Sequence, residues 1–175
     1  MMWRTHALFG ACSLWLLALI PNMVTPDTVG PLCALAAFGA LLPDLDAEAS
    51  KVRSLSVGGL RPFAPVSALA HRAWGHRGFL HSPLALLLLG GGATTVGLAW
   101  AWPPALALWL GYASHLAADA CTRSGIPGWL NRPDRRIWLL PPGWRFATGS
   151  AAEDLLLPFL ALGTLLLILA HYPAA

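Results

Sequence analysis

The eleven basic residues of this 175-residue chain fall in three places, and long apolar segments keep those places apart. Arg4 precedes the first segment, "ALFGACSLWLLALI" (Ala7 to Ile20). Lys51, Arg53, Arg61, Arg72 and Arg77 lie between the second, "PLCALAAFGALL" (Pro31 to Leu42), and the third, "PLALLLLGGGATTVGLAWAW" (Pro83 to Trp102). Arg123, Arg132, Arg135, Arg136 and Arg145 lie between the fourth (Pro104 to Cys121) and the fifth, "LLLPFLALGTLLLILA" (Leu155 to Ala170). The other connections carry no Lys or Arg. Five crossings therefore put every basic residue on one face, which the positive-inside rule makes cytoplasmic. If the second segment did not cross, the N-terminus and the first long loop would lie on opposite faces. The expected fold is all-α: a polytopic membrane bundle of about five transmembrane helices in one domain, residues 1–175, with its N-terminus inside.

Composition agrees. The chain is 57% hydrophobic and 11% charged, against about 25% charged in soluble proteins. Only the third and fourth segments approach the roughly 20 residues that span a bilayer. The first and fifth borrow flanking residues, and the second is the shortest. Arg4 before an apolar run also resembles a signal peptide, but "IPNMVTPD" offers no small-x-small cleavage site. Cys12, Cys33 and Cys121 form no CxxC pair and read as small buried hydrophobes. The net charge of +3 reflects sidedness, and no recognition-helix pattern points to nucleic acid. The "GGG" at 90–92 permits close helix packing, within one chain or between chains.

Residues 43–82 and 122–153 hold most of the polar residues and four tryptophans, Trp74, Trp129, Trp138 and Trp144. Tryptophan favours the membrane–water interface. These loops are expected to form an irregular cytoplasmic cap, rich in Pro and Gly, with short strands around Ile137–Leu140.

With that topology, eight possible ligands converge on one membrane face. His6 starts the first helix, and Asp44 and Asp46 ("LLPDLD") end the second. His76 and His81 ("HRGFLHS") precede the third. His115 and Asp119 close the fourth, and Glu153 ("TGSAAED") opens the fifth. His115 and Asp119, four apart, project side by side about 6 Å from one another on a helix. Imidazoles with carboxylates suit zinc first, with manganese or iron as alternatives. Blander roles compete: Asp119 pairing with Arg123, Asp44 or Asp46 capping a helix through "AEASKV", Glu153 as a first-turn helix charge. Together, ionisable groups at a bilayer edge are costly without a function or a bound ion. His71 and His171 stand outside the set.

"LLPDLD", "HRGFLHS", "GYASHLAADACTRSGI" and "TGSAAED" resemble the signatures of the YdjM-like family, as does the histidine of "RTHALFG". Members are described as LexA-regulated, membrane-bound, predicted metal-dependent hydrolases. The resemblance runs from His6 to Glu153 and implies a multi-pass protein of the bacterial or archaeal inner membrane. More distantly, the order His6, Asp44, His76 or His81, His115-x3-Asp119 and a late carboxylate is similar to zinc-dependent phospholipase C and P1-type nucleases. It departs by lacking a second HxxxD helix, which favours one or two ions over three.

The expected activity is hydrolysis of a lipid or lipid-linked phosphoester at the cytoplasmic surface. The metal ligands are His6, Asp44, His76, His81, His115 and Asp119. Asp46 or Glu153 serves as general base or supporting carboxylate. Arg77, Arg135 and Arg136 grip phosphate or anchor to anionic lipid. Neither GxSxG nor HExxH is present, which argues against serine and zincin hydrolysis. The alternative is a non-enzyme: a metal-stabilised scaffold, or a carrier of ions or small solutes. A carrier would want polar groups near the midplane.

Overall fold

The computed structural model describes residues 1–47, 50–75, 77–129 and 132–172. Six helices carry the architecture: α1 (Trp3–Ala18), α2 (Pro26–Gly39), α3 (Ala64–Trp74), α4 (Pro83–Ala99), α5 (Trp102–Ala120) and α6 (Ala151–His171). Their starts follow local chemistry. The Thr28 hydroxyl accepts from the Thr25 amide at 2.9 Å, and Pro26 occupies the first turn of α2. The Ser82 hydroxyl accepts from the Ala85 amide at 3.2 Å, and Pro83 opens α4. Each device satisfies an amide that a helix start otherwise leaves bare.

α5 is the hub, packed against α1, α2 and α4, while α6 lies against α1. Three glycines bring the backbones close. A Cβ at Gly111 of α5 would collide with the Ala36 carbonyl of α2, and one at Gly39 with the Leu108 carbonyl. A Cβ at Gly10 of α1 would lie 2.6 Å from the Ala36 oxygen. Of the "GGG" triplet, Gly90 abuts the Trp109 ring, while Gly91 and Gly92 meet nothing within 4 Å. Close packing therefore runs through Gly10, Gly39 and Gly111. The main core joins Leu14, Leu17, Val29, Leu32, Ala36, Ala107 and Leu167. A second, around Ala85, Tyr112, Leu116 and Ile126, sits nearer the polar end.

The two long loops are more ordered than expected. α3 occupies part of 43–82, flanked by single 3₁₀ turns at Pro43–Asp46 and Phe79–His81. Its signal was present: Pro65 at the helix start, then apolar residues at helical spacing. In 122–153, strands β1 (Ile126–Gly128) and β2 (Arg132–Ile137) pair antiparallel, with Ile126 opposite Ile137. The strand thus ends at Ile137, where it was expected to begin. Of the helix expected through 47–54, residues 48–49 lie outside the described ones, and residues 51–54 form turns. All three cysteines are free.

Among the described residues, α6 alone is long and apolar enough to cross a membrane by itself. Its 21 residues extend about 31 Å, close to the roughly 30 Å hydrocarbon core. α4 is apolar with 17 residues, or about 26 Å.

Candidate metal centre

Four separate pieces of chain deliver the polar cluster. His6 comes from the first turns of α1. Asp44 and Asp46 come from the 3₁₀ turn after α2, His81 from the turn before α4, and His115 with Asp119 from the end of α5. His6, His81, His115, Asp46 and Asp119 are each 1% exposed or less. Asp44, at 24% exposed, is where the cluster meets its surroundings.

The orientation of His115 follows from the end of α2. The last carbonyls of a helix lack intrahelical partners, and the Ala40 carbonyl lies 2.6 Å from His115 Nδ1. A carbonyl only accepts, so Nδ1 carries the proton and Nε2 offers its lone pair. That nitrogen faces His81 Nε2 at 3.2 Å. His81 is aimed in the same way by an acid: its Nδ1 lies 3.4 Å from Asp46 Oδ2 and its Nε2 3.4 Å from Asp44 Oδ1. A carboxylate behind a histidine is the usual outer support of a metal ligand.

The inward atoms form a compact set. Asp44 Oδ1 is 3.9 Å from His115 Nε2. Asp119 Oδ2 is 3.9 Å from His115 Nε2 and 4.0 Å from His81 Nε2. Ligands about 2.0–2.1 Å from a tetrahedral ion stand about 3.4 Å apart, so the observed 3.2–4.0 Å spacings suit one ion with little movement. Two overlapping trios of ligand atoms, His6–His115–Asp119 and Asp44–His81–His115, each lie within 4.8 Å. These groups could hold a metal ion. Both trios draw on His115, whose single free lone pair serves one ion at a time. His6 stacks on the His115 ring at 3.7 Å and places Nε2 3.3 Å from Asp119 Oδ1.

Burial alone would raise the Asp44 carboxyl, but the hydrogen bond and charge of His81 hold it well below the usual carboxylate range. Burial alone would lower His81, but hydrogen bonds and charge from Asp44 and Asp46 outweigh it and push the imidazole up to about 9.

Cations hold both oxygens of Asp119, Arg77 on the same Oδ2 that faces His81 and His115. The Met1 amine lies 2.5 Å from Oδ1 and Arg77 Nη2 3.1 Å from Oδ2. Among the described residues its arginine partner is thus Arg77, with Arg123 elsewhere. Arg77 also donates to the Ser124 hydroxyl, and Ser124 meets Thr122, which donates to the Asp119 carbonyl. Arg77 has a left-handed backbone, φ +57°. Such a conformation is uncommon outside glycine and collects at functional sites.

The other expected residues separate from this group. Asp46 supports His81 and has no place among the inward atoms. Glu153 is buried with both oxygens on backbone amides, Oε1 on Met2 at 2.5 Å and Oε2 on Gly149 at 2.7 Å. It fastens the N-terminal segment to α6, and so steadies α1 and His6. Arg135 and Arg136 are exposed on β2, and Arg136 donates to the Ser124 carbonyl at 2.8 Å. His76 lies outside the described residues. His71, set aside from sequence, places Nδ1 2.8 Å from the Asp46 carbonyl and braces that turn. The Met1 amine, the Ala40 carbonyl and the Thr122–Ser124 relay carried no sequence signal, because each depends on which backbone groups the fold leaves unpaired.

Among proteins of known sequence, Inner membrane protein YdjM of Escherichia coli (strain K12) is 37% identical over 115 residues, covering 63% of this chain and 50% of that protein. The protein of the same name from Shigella flexneri matches with the same figures. The chain spans about half the length of the curated relatives it matches. No solved structure matches. The family described as "YdjM inner membrane protein" matches over residues 1–171, and the chain belongs to that family.

Proposed function

We propose that this chain is a membrane-bound, metal-dependent hydrolase acting on a phosphoester of a lipid or lipid-linked substrate. The observation that carries the reading is the pair of buried nitrogens from His81 and His115, 3.2 Å apart, each with an Asp44 and an Asp119 oxygen 3.4–4.0 Å away. Two imidazole nitrogens facing one another at 3.2 Å share a proton or share a cation. These four residues hold one divalent ion, zinc first with manganese or iron as alternatives. Such an ion supplies Lewis acidity and lowers the pKa of a bound water toward about 7.

The remaining residues position those four. Asp46 orients His81, the Ala40 carbonyl fixes the His115 tautomer, and His6 holds Asp119. Arg77 presents a guanidinium beside Asp119, suited to an anionic oxygen. Membership of an inner membrane protein family and the outward leucines of α6 support a substrate held at the headgroup level. The grouping of all basic residues supports five crossings, with the N-terminus and the centre on the cytoplasmic side.

A scaffold reading has one observation in its favour: the cluster ties four distant segments together, as a structural ion would. Purified protein assayed for bound metal and for release of phosphate or headgroup, with and without chelator, separates the two. Chelator-sensitive turnover that His115→Ala and Asp119→Ala abolish supports the hydrolase. Bound metal with no turnover on a broad lipid panel contradicts it and leaves the scaffold.

A further inference from the structure

Lys51 is the only lysine in the chain, and it stands on the wall of the cavity that reaches the metal ligands. That cavity, of about 360 Å³, is bounded by Met1, Trp3, Asp44, Lys51, Arg77 and Thr148. It touches the cluster at Asp44, whose Oδ1 lies 3.4 Å from His81. The other inward residues are at most 1% exposed, so this is the side from which a solute meets them.

The charges in this cavity are arranged asymmetrically. Arg77 is committed to Asp119 and Ser124, and the Met1 amine to Asp119. Lys51 has no acidic partner among the described residues. Its ammonium lies 5.5 Å from the centre of the Trp3 ring, a weak hold at an exposed site. An ammonium with no acidic partner among the described residues, on the wall of a cavity that Arg77 also lines, is suited to an anion with several oxygens. Lysine acts there as a mobile point charge. The volume suits a small polar ligand.

We infer that this cavity is the anion subsite of the centre, and that Lys51 is its specificity-determining residue for a phosphoryl group entering beside Asp44. The inference rests on the hydrolase reading for the use of the subsite, while binding itself can be tested alone. It moves phosphate recognition from Arg135 and Arg136, which do not line the cavity, to Lys51 and Arg77.

The test uses the full chain, metal-loaded, in lipid nanodiscs, titrated with inorganic phosphate by calorimetry. Lys51→Gln is expected to weaken phosphate binding about tenfold, the usual scale of one charge-assisted contact, with metal content unchanged. Lys51→Arg is expected to stay within about threefold of wild type. Equal affinity in wild type and Lys51→Gln, or no phosphate binding by wild type, overturns the subsite. Glycerophosphoglycerol, the water-soluble headgroup of phosphatidylglycerol, added as a competitor in phosphatidylcholine nanodiscs names the source. Displacement of bound phosphate supports the subsite as a lipid-headgroup site, and no displacement supports it as a site for free phosphate. Lys51-dependent phosphate binding without turnover on any lipid sinks the hydrolase and keeps the subsite. Chelator-sensitive turnover with Lys51-independent phosphate affinity does the reverse.

Discussion

α5 and α6 are both long, mostly apolar helices, yet they are packed in opposite senses. α6 exposes Leu155, Phe159, Leu162, Leu165, Leu166 and Leu169 and buries Glu153 and Leu167. α5 buries Gly111, Ser114, His115, Asp119 and four alanines. The helix with ionisable groups is central and the leucine-rich helix is peripheral. In water that arrangement would be unfavourable, since a contiguous apolar surface of this size marks an interaction site. Against lipid, leucine gains nothing by turning inward, and helices associate through small residues and polar contacts. The contrast fits a helix, α6, long and apolar enough to cross a membrane, beside a helix, α5, whose buried face carries the polar cluster.

That contrast is open to direct attack. Gly111→Leu must displace the Ala36 carbonyl, and overpacking of this kind costs about 3 kcal/mol. Leu165→Ala on the outer face of α6 is expected to change stability by less than about 0.5 kcal/mol. Unfolding in mixed micelles checks both. Comparable losses at the two positions would erase the distinction between a packed hub and a lipid-facing rim.

A smaller effect sharpens the polar side. Asp46→Asn keeps the size of the group behind His81 but removes its charge. Metal affinity is expected to fall about tenfold, the lower end for loss of an outer carboxylate, and competition against a chelating dye measures it. Glu153→Gln, which touches backbone amides outside the inward set, is expected to leave metal affinity within about threefold. Equal effects at the two would mean that Asp46 has no special hold on the centre.

The weakest lever is pH. His81 is held protonated up to about 9 in the metal-free protein, so a metal must displace that proton. Apparent metal affinity should rise with pH toward 9, by at most tenfold per unit. The raised value contributes stability to the metal-free protein that is fully present below about 6.5 and lost as pH rises through about 9. Metal titrations and thermal unfolding across pH 6 to 9 read the two trends, which have opposite signs.

Much of the centre was legible in the sequence, for reasons that can be named. His115 and Asp119 share a face because a helix repeats every 3.6 residues. Asp44 and His81 were placed with them by the expectation, from the basic residues, that their chain segments end on one face. What topology could not supply was role. Glu153 and Asp46 read alike as spare carboxylates, but one meets the Met2 amide and the other a histidine ring. Arg77, Arg135 and Arg136 read alike as basic loop residues, and only the left-handed turn at Arg77 carries a guanidinium to Asp119. Helix lengths were the other gap. Turns take the ends of α1 and α2, leaving 16 and 14 residues, where the first apolar run was expected to borrow its flanks and the second was the shortest.

The central claim is a single ion held by Asp44, His81, His115 and Asp119, and elemental analysis of protein purified without chelator tests it most directly. The account predicts about one equivalent of a divalent transition metal per wild-type chain and less than a tenth of an equivalent in His115→Ala. A wild-type protein with no metal, or a His115→Ala variant that keeps its full complement, would contradict it.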